Sequence, residues 1–366
     1  MNIARFTKTA ALAAVGVMAL AACSDGGSND ASSDSTSAAN IDCASGTLSS
    51  EGSSAQGNAM TEWIKQYQLA CPDATVNYNP TGSGAGIEQF LADQVDFAGS
   101  DSALDTDDGE VADAKERCDG NEAWNLPMVV GPVAVAYNVE GLDNLVLNAD
   151  VTADIFSGKI KKWNDPAIAA LNSGTDLPDE PITVFYRSDE SGTTQNFTQY
   201  LQAAAPDKWT EEPSKSWTGT GEGKEKSAGV QEATIQNENS ITYVEWSYAR
   251  DGGLGIAQID NGSGPVELNG DTAGKTLDAS KIVGSGNNLE MEIDYATTEP
   301  GAYPIVLVTY EIACSKGLAE NEAAQVKSFL TYTASDDGQS VLNDLGYAPL
   351  PPEVASKVQT AVADLS

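Results

Sequence analysis

The chain has 366 residues, with 19 Lys and Arg against 54 Asp and Glu, a formal charge of -35, and no histidine. So acidic a balance excludes nucleic-acid binding through a basic surface. The lack of imidazole removes Ser-His-Asp catalysis, histidine acid-base chemistry and histidine-bound zinc together.

A small anion remains admissible, because backbone amides and one arginine at close range outweigh a screened net field. Residues 1–22 carry Arg5 and Lys8, then an apolar run from Ala10 to Ala22 with small residues before Cys23. That pattern predicts a secretory signal, and the run is short for a bilayer span. Residues 23–40 are small and polar and predict a flexible tether. From residue 41 onward the chain is long enough for two domains. Apart from Cys23, the cysteines are Cys43, Cys71, Cys118 and Cys314. In an exported chain this even set implies two disulfides, with three possible connectivities.

Leu48 closes a first predicted strand, and Gly52-Ser53-Ser54-Ala55 leads into Met60, Trp63, Ile64 and Tyr67 at helical spacing. This is a strand-to-helix junction with hydroxyls at the expected cap. Ala74 to Tyr78 predicts the next strand. If the two strands lie side by side in parallel, Cys43 meets Cys71, the pairing favoured here. Thr81-Gly82-Ser83-Gly84-Ala85-Gly86 precedes a helix carrying Ile87, Phe90 and Leu91. Its glycines permit close backbone approach to a ligand, with Ser83 and the next amides facing it. The nucleotide-binding Gly-x-Gly-x-x-Gly and P-loop patterns are not met. A third strand over Val95 to Ala98 runs into Gly99-Ser100-Asp101-Ser102, which puts the Asp101 carboxylate at a strand's carboxyl end.

Leu126 to Asn138 and Tyr303 to Cys314 are the longest apolar, β-branched runs. The expected topology leaves one α/β lobe through the first and returns through the second, the two strands forming a hinge. Cys118 stands before one and Cys314 ends the other, which favours their pairing. Residues 154–168 predict a helix and turn whose Lys159, Lys161 and Lys162 form either an exposed recognition edge or, the reading favoured here, a solvated face. Ile182 to Tyr186 is a further strand, followed by Arg187-Ser188-Asp189-Glu190-Ser191-Gly192-Thr193 and a helix with Phe197, Tyr200 and Leu201. Ser191, Gly192 and Thr193 at that helix start offer amides and hydroxyls to an anion. Arg187 adds a planar fork of donors, and Asp189 is spaced to orient it. Asn269 to Thr276 imitates a P-loop but is one residue short, so nucleotide binding is not expected there.

The ordered set Gly-Ser-Ser-Ala, Thr-Gly-Ser-Gly-Ala-Gly-Ile, Phe-Ala-Gly-Ser-Asp, Ile-Phe-Ser-Gly-Lys-Ile-Lys-Lys-Trp-Asn-Asp-Pro and Arg-Ser-Asp-Glu-Ser-Gly-Thr-Thr resembles the substrate-binding lipoproteins of bacterial high-affinity phosphate ABC transporters. The resemblance spans nearly the whole mature chain. It implies a type II periplasmic-binding-protein fold, two α/β lobes joined by a strand hinge. The expected division is lobe 1 over 41–136 plus 306–366 and lobe 2 over 137–305. By motif position it implies phosphate contacts at Ser54, Ala55, Ser83, Asp101, Arg187, Ser191, Gly192 and Thr193. It also implies a lipid-modified Cys23 and extracytoplasmic localisation on the cell membrane. The expected partners are inorganic phosphate and a membrane permease, the protein being a monomer with no cofactor, metal or nucleic acid.

On this reading Asp101 is an acceptor for the O-H of HPO4(2-), which sulfate lacks. A secreted phosphoester hydrolase and a binder of another protonated oxyanion such as arsenate are the rival readings. The missing histidine and the absence of an evident activated nucleophile in the sequence argue against the hydrolase.

Overall fold

The computed structural model describes residues 41–366. The expected signal segment 1–22, the tether 23–40 and Cys23 lie outside the described residues. The molecule is organised around the strand Ala123–Asn138, 16 residues long and buried along nearly its whole length. Burial on both faces explains why its sequence is continuously apolar rather than alternating. Its first part, Ala123 to Pro132, pairs antiparallel with Val306–Cys314, and its second, Val133 to Asn138, pairs antiparallel with Ser240–Glu245.

One strand therefore serves two sheet halves. On one side the order continues through Phe97–Ser100 and Gly46–Gly52 to Ala74–Asn79, on the other through Thr183–Arg187 to Glu222–Lys224. Gly255–Ile256 joins the long strand off this path. Proline sits at both irregular points. Pro127 stands opposite Tyr310 where the register shifts between Thr309 and Tyr310, and Pro132 is the last partner before the strand changes neighbours. Both are places where a missing N-H is tolerated.

Two hydrophobic clusters flank this shared strand. Trp63, Phe90, Phe97, Leu126, Val129, Phe329 and Tyr347 belong to the first. Val135, Phe156, Trp163, Phe197, Tyr200 and Tyr243 belong to the second, where Phe197 stacks on Tyr243 with ring centroids 4.5 Å apart. Two α/β lobes result, with the long strand and its return partner crossing between them. Leu277, Leu289 and Met291 pack into the first cluster although they follow the chain's excursion through the second. Ala55 does the reverse and enters the second cluster from the first lobe's turn.

Cys43 bonds to Cys71 and Cys118 to Cys314, with Cα separations of 5.5 and 5.4 Å. The first bond ties the segment before Gly46–Gly52 to the end of helix Gly57–Ala70. It accompanies a parallel pairing in which Gly46 is opposite Ala74.

Two local readings need correction. The helix after the first strand begins at Gly57, with Gln56 at the N-cap position and no side-chain cap, so the hydroxyls of Ser53 and Ser54 are not its cap. The stretch 154–168 holds the end of helix Ala149–Phe156, a turn, and the start of helix Pro166–Leu171. Lys159 shares Asp154 with Lys208 and Lys162 pairs with Asp179, yet both side chains stay more than half exposed and Lys161 is exposed, so the lysines do form a solvated face. Asn269 and Thr272 form a capping box on helix Gly270–Asp278, which accounts for the imitation P-loop.

Candidate functional site

Several chain ends converge between the two clusters, at carboxyl ends of parallel strands, where α/β folds place their ligands. Strand Gly46–Gly52 delivers Ser53 to Gln56, strand Phe97–Ser100 delivers Asp101, and strand Thr183–Arg187 ends on Arg187 itself. Helices Ser83–Leu91, Gly192–Ala204 and Lys226–Gln236 begin at the same place.

Asp101 is only 4% exposed, and hydroxyls saturate most of its acceptor capacity. Ser53 and Thr309 donate to Oδ1 at 2.5 and 2.8 Å, and Thr193 donates to Oδ2 at 3.0 Å. A carboxylate has about four acceptor directions, so one at Oδ2 is left for a further donor. Burial pushes this carboxyl's pKa up, while the hydroxyls of Ser53, Thr309 and Thr193 and the Arg187 charge oppose the rise. The Asp101 backbone is held too, its N-H by Ser83 Oγ at 3.1 Å and its carbonyl by Asn196 Nδ2 at 2.8 Å.

Arg187 is 2% exposed. Its Nε and Nη2 donate to Asp189 Oδ1 and Oδ2 at 2.8 and 2.5 Å, the parallel fork that guanidinium and carboxylate geometry favours. Burial works against the charge, and the Asp189 bonds outweigh it, so the guanidinium stays protonated. The fork leaves Nη1, which reaches Ser227 Oγ at 3.3 Å. Ser227 in turn meets Ser54, hydroxyl to hydroxyl at 3.1 Å, and gives its N-H to Ser54 Oγ at 3.0 Å.

Every site residue expected from the sequence is thus found in one interlobe region, though not always in the expected posture. The Ala55 N-H turns to Ser53 Oγ at 3.1 Å. Ser191 caps its helix, accepting from Thr194 N at 3.2 Å. Gly192 and Thr193 occupy the first helical turn, where amides precede their own intrahelical acceptors.

The glycines admit the opposite lobe. A Cβ on Gly192 would lie 2.6 Å from Asp101 Cβ, and one on Gly84 would lie 2.5 Å from Glu190 Cβ.

Sequence reasoning missed Ser53, Ser227, Thr309 and Asn196. It also missed three tyrosines whose hydroxyls donate to successive carbonyls of the turn. Tyr78 reaches Ser53 O at 2.8 Å, Tyr248 reaches Ser54 O at 2.8 Å, and Tyr347 reaches Ala55 O at 2.6 Å. Ser227 carried a local signal as a hydroxyl residue opening a helix, and Ser53 as part of the Gly-Ser-Ser-Ala junction.

A buried cation, one buried carboxylate and a ring of hydroxyls and helix-start amides make a site for a compact polar anion that also carries a proton to donate. A model of the PBP superfamily domain matches residues 37–337. "Phosphate-binding protein PstS 3" of Mycobacterium leprae (strain TN) is 46% identical over 320 residues, covering 86% of each chain. The protein of that name from Mycobacterium tuberculosis (strain ATCC 25618 / H37Rv) is 44% identical over 370 residues, covering 99% of each. The crystal structure of a phosphate-binding protein from Stenotrophomonas maltophilia has a TM-score of 0.66 at 19% identity, over 86% of this chain and 94% of that one, a likeness of fold. The chain accordingly belongs to the PBP superfamily and, within it, to the PstS family of phosphate-binding proteins.

Proposed function

We propose that this protein captures inorganic phosphate in the cleft between its lobes and delivers it to the membrane permease of an ABC transporter for import. The observation that carries this reading is Asp101, a buried carboxylate with an acceptor direction to spare, set among hydroxyl donors and facing the site of a buried guanidinium. HPO4(2-) presents unprotonated oxygens to Arg187, Ser54, Ser83, Ser191 and the amides around Ala55, Gly192 and Thr193. Its one O-H goes to Asp101. Sulfate has no proton near neutral pH and leaves Asp101 against a bare oxygen, an unpaired buried charge that the site rejects. Arsenate is protonated and competes.

The moving bodies are a first lobe over 41–136 plus 306–366 and a second over 137–305, with the segment around Leu277 to Met291 leaning on the first. Lobe closure brings Ser54 to Ser227 and Gly84 to Glu190, so the loaded shape differs from the empty one and is the form a permease recognises. The protein acts as a binder rather than a hydrolase. It works as a monomer outside the cytoplasm, held at the membrane by lipid on Cys23. The names of the curated relatives support the phosphate reading. Titration calorimetry on phosphate-depleted protein tests it. Tight binding of phosphate with no detectable sulfate binding is expected, and a preference for sulfate or an uncharged solute overturns it.

A further inference from the structure

Glu311 lies on the return strand Val306–Cys314, opposite Gly99, and is fully buried. Neither of its carboxyl oxygens has a hydrogen-bond partner. Gln56 lies beside it, packed over Gly99, where a Cβ would stand 2.1 Å from Gln56 Nε2 and 2.6 Å from the Tyr78 hydroxyl. Oε1 of Gln56 lacks a partner as well.

Tyr78 has a single proton, and it goes to the Ser53 carbonyl at 2.8 Å. The 3.0 Å contact between Gln56 and Tyr78 must then run from the Gln56 amide NH2 to the phenol oxygen. The second amide hydrogen of Gln56 is turned towards the Glu311 carboxyl, and Oε1 is left an acceptor with no donor. Two acceptors in a dry site stay unsatisfied unless one of them carries a proton.

Burial pushes the Glu311 carboxyl well above the usual carboxylate range. Gln56 opposes this in part and the Asp101 charge adds to it.

We propose that Glu311 is a neutral carboxylic acid that donates its proton to Oε1 of Gln56, and that it acts as a positioning residue for the Ser53 to Gln56 turn. The chain of bonds runs from Glu311 to Gln56, from Gln56 to Tyr78 and from Tyr78 to the Ser53 carbonyl. Ser53 closes it by donating its hydroxyl to Asp101. A neutral Glu311 also leaves Asp101 without a second negative charge beneath it, which an incoming dianion would feel.

The test uses the folded full chain and the variants Glu311→Gln, Glu311→Leu and Gln56→Leu. Infrared difference spectra of wild type minus Glu311→Gln at pH 7 should show the carbonyl band of a protonated carboxylic acid, and Gln56→Leu should move that band to higher frequency. A difference spectrum with only carboxylate bands overturns the neutral acid, as does tighter phosphate binding by Glu311→Gln, the mark of a removed charge. In calorimetry with inorganic phosphate, Glu311→Gln should stay within about twofold of wild type, and Glu311→Leu should weaken binding roughly tenfold by orphaning the Gln56 carbonyl. A role confined to stability would lower the melting temperature of Glu311→Leu and leave the folded protein's affinity unchanged, which overturns the positioning. The affinity arm rests on the phosphate reading, whereas the infrared arm does not. Failure of the wild type to bind phosphate therefore defeats that reading alone.

Discussion

Arg187 and Asp189, two residues apart, close a doubly hydrogen-bonded ion pair inside the cleft, with the arginine side chain 2% and the aspartate side chain 15% exposed. Asp189 also accepts the Lys226 N-H at 2.8 Å, so it anchors the helix that presents Ser227. Removing one member of such a pair leaves a buried charge uncompensated. Asp189→Asn should cost about 3 kcal/mol of unfolding free energy at pH 7. Burial alone would raise the Asp189 pKa, but Arg187 outweighs it and the value is lowered. A depressed carboxyl stabilises the fold above its unfolded pKa of about 3.9 and loses that contribution as pH falls through the folded value. Denaturant unfolding should show the gap between wild type and Asp189→Asn at pH 7 and its narrowing below about pH 4. Coincident unfolding curves at pH 7 would remove the pair from this role.

On the proposed phosphate reading, Asp101 sets the choice among oxyanions. Replacing its Oδ2 by an amide converts the acceptor facing the ligand into a donor, which sulfate satisfies as well as phosphate. Asp101→Asn should weaken phosphate binding, admit sulfate and shrink the preference between them by roughly a hundredfold or more, given that sites of this kind discriminate by about 10^4 to 10^5. Competition calorimetry in sulfate checks this. Intact sulfate rejection in the variant would place selectivity elsewhere.

How much of this was readable from the residues depended on sequence distance. Arg187 and Asp189 were legible because a strand's last residue and a loop residue two positions on meet locally. The hinge was legible because doubly buried strands read as unbroken apolar runs. Both disulfides follow from which strands are neighbours. Thr309 and Ser53 were not legible as partners of Asp101. Thr309 reaches it from the return strand and Ser53 from the turn after Gly46–Gly52, 208 and 48 residues away in sequence, and periodicity reports a residue's burial but not the group it meets. The glycines of 81–86 were read as room for a ligand. Gly82 and Gly84 instead make room for Asp189 and Glu190, because lobe-to-lobe packing is invisible until both lobes are built.

If the lobes close on phosphate as proposed, Gly192 couples that packing to affinity. Its missing side chain lets the first turn of helix Gly192–Ala204 rest against Asp101 and Ser83, at 2.6 and 2.7 Å from where a Cβ would stand. The backbone there is helical, so alanine costs the isolated lobe nothing and the clash exists only on closure. Overpacking of this kind costs about 1–3 kcal/mol. Gly192→Ala should therefore weaken phosphate binding by roughly 5- to 150-fold. The melting temperature of the phosphate-free protein should hold or rise slightly. Unchanged affinity would mean that the lobes need not approach this closely.

The ion pair between Lys215 and Glu110 offers an independent measure of closure, because it joins the lobes outside the anion site. Their charged atoms are 2.6 Å apart, with side chains 14% and 15% exposed. Lys215 also accepts the Ser191 N-H through its carbonyl at 2.9 Å, while Glu110 accepts the Asp105 N-H at 2.7 Å. Partly solvated pairs contribute about 1 kcal/mol at most. Lys215→Ala should reduce phosphate affinity by up to about fivefold, with an effect that fades at high salt. A double-mutant cycle with Glu110→Gln isolates the coupling. Additive losses would show that the two side chains act separately.

The two disulfides should differ in what they contribute. Cys118 and Cys314 are separated by 196 residues and Cys43 and Cys71 by 28, so reducing the first releases a far longer loop. The chain-entropy relation gives about 5 kcal/mol for the long loop and about 4 kcal/mol for the short one. Besides its bond, Cys314 is held by ladder pairing of the return strand with the long strand at Ala123. Cys118→Ser with Cys314→Ser should therefore fold, keep phosphate affinity within about twofold and lose more stability than Cys43→Ser with Cys71→Ser in urea unfolding. The reverse order would show that the unfolded chain already holds the two long strands near each other, so that closing the loop removes little of its freedom.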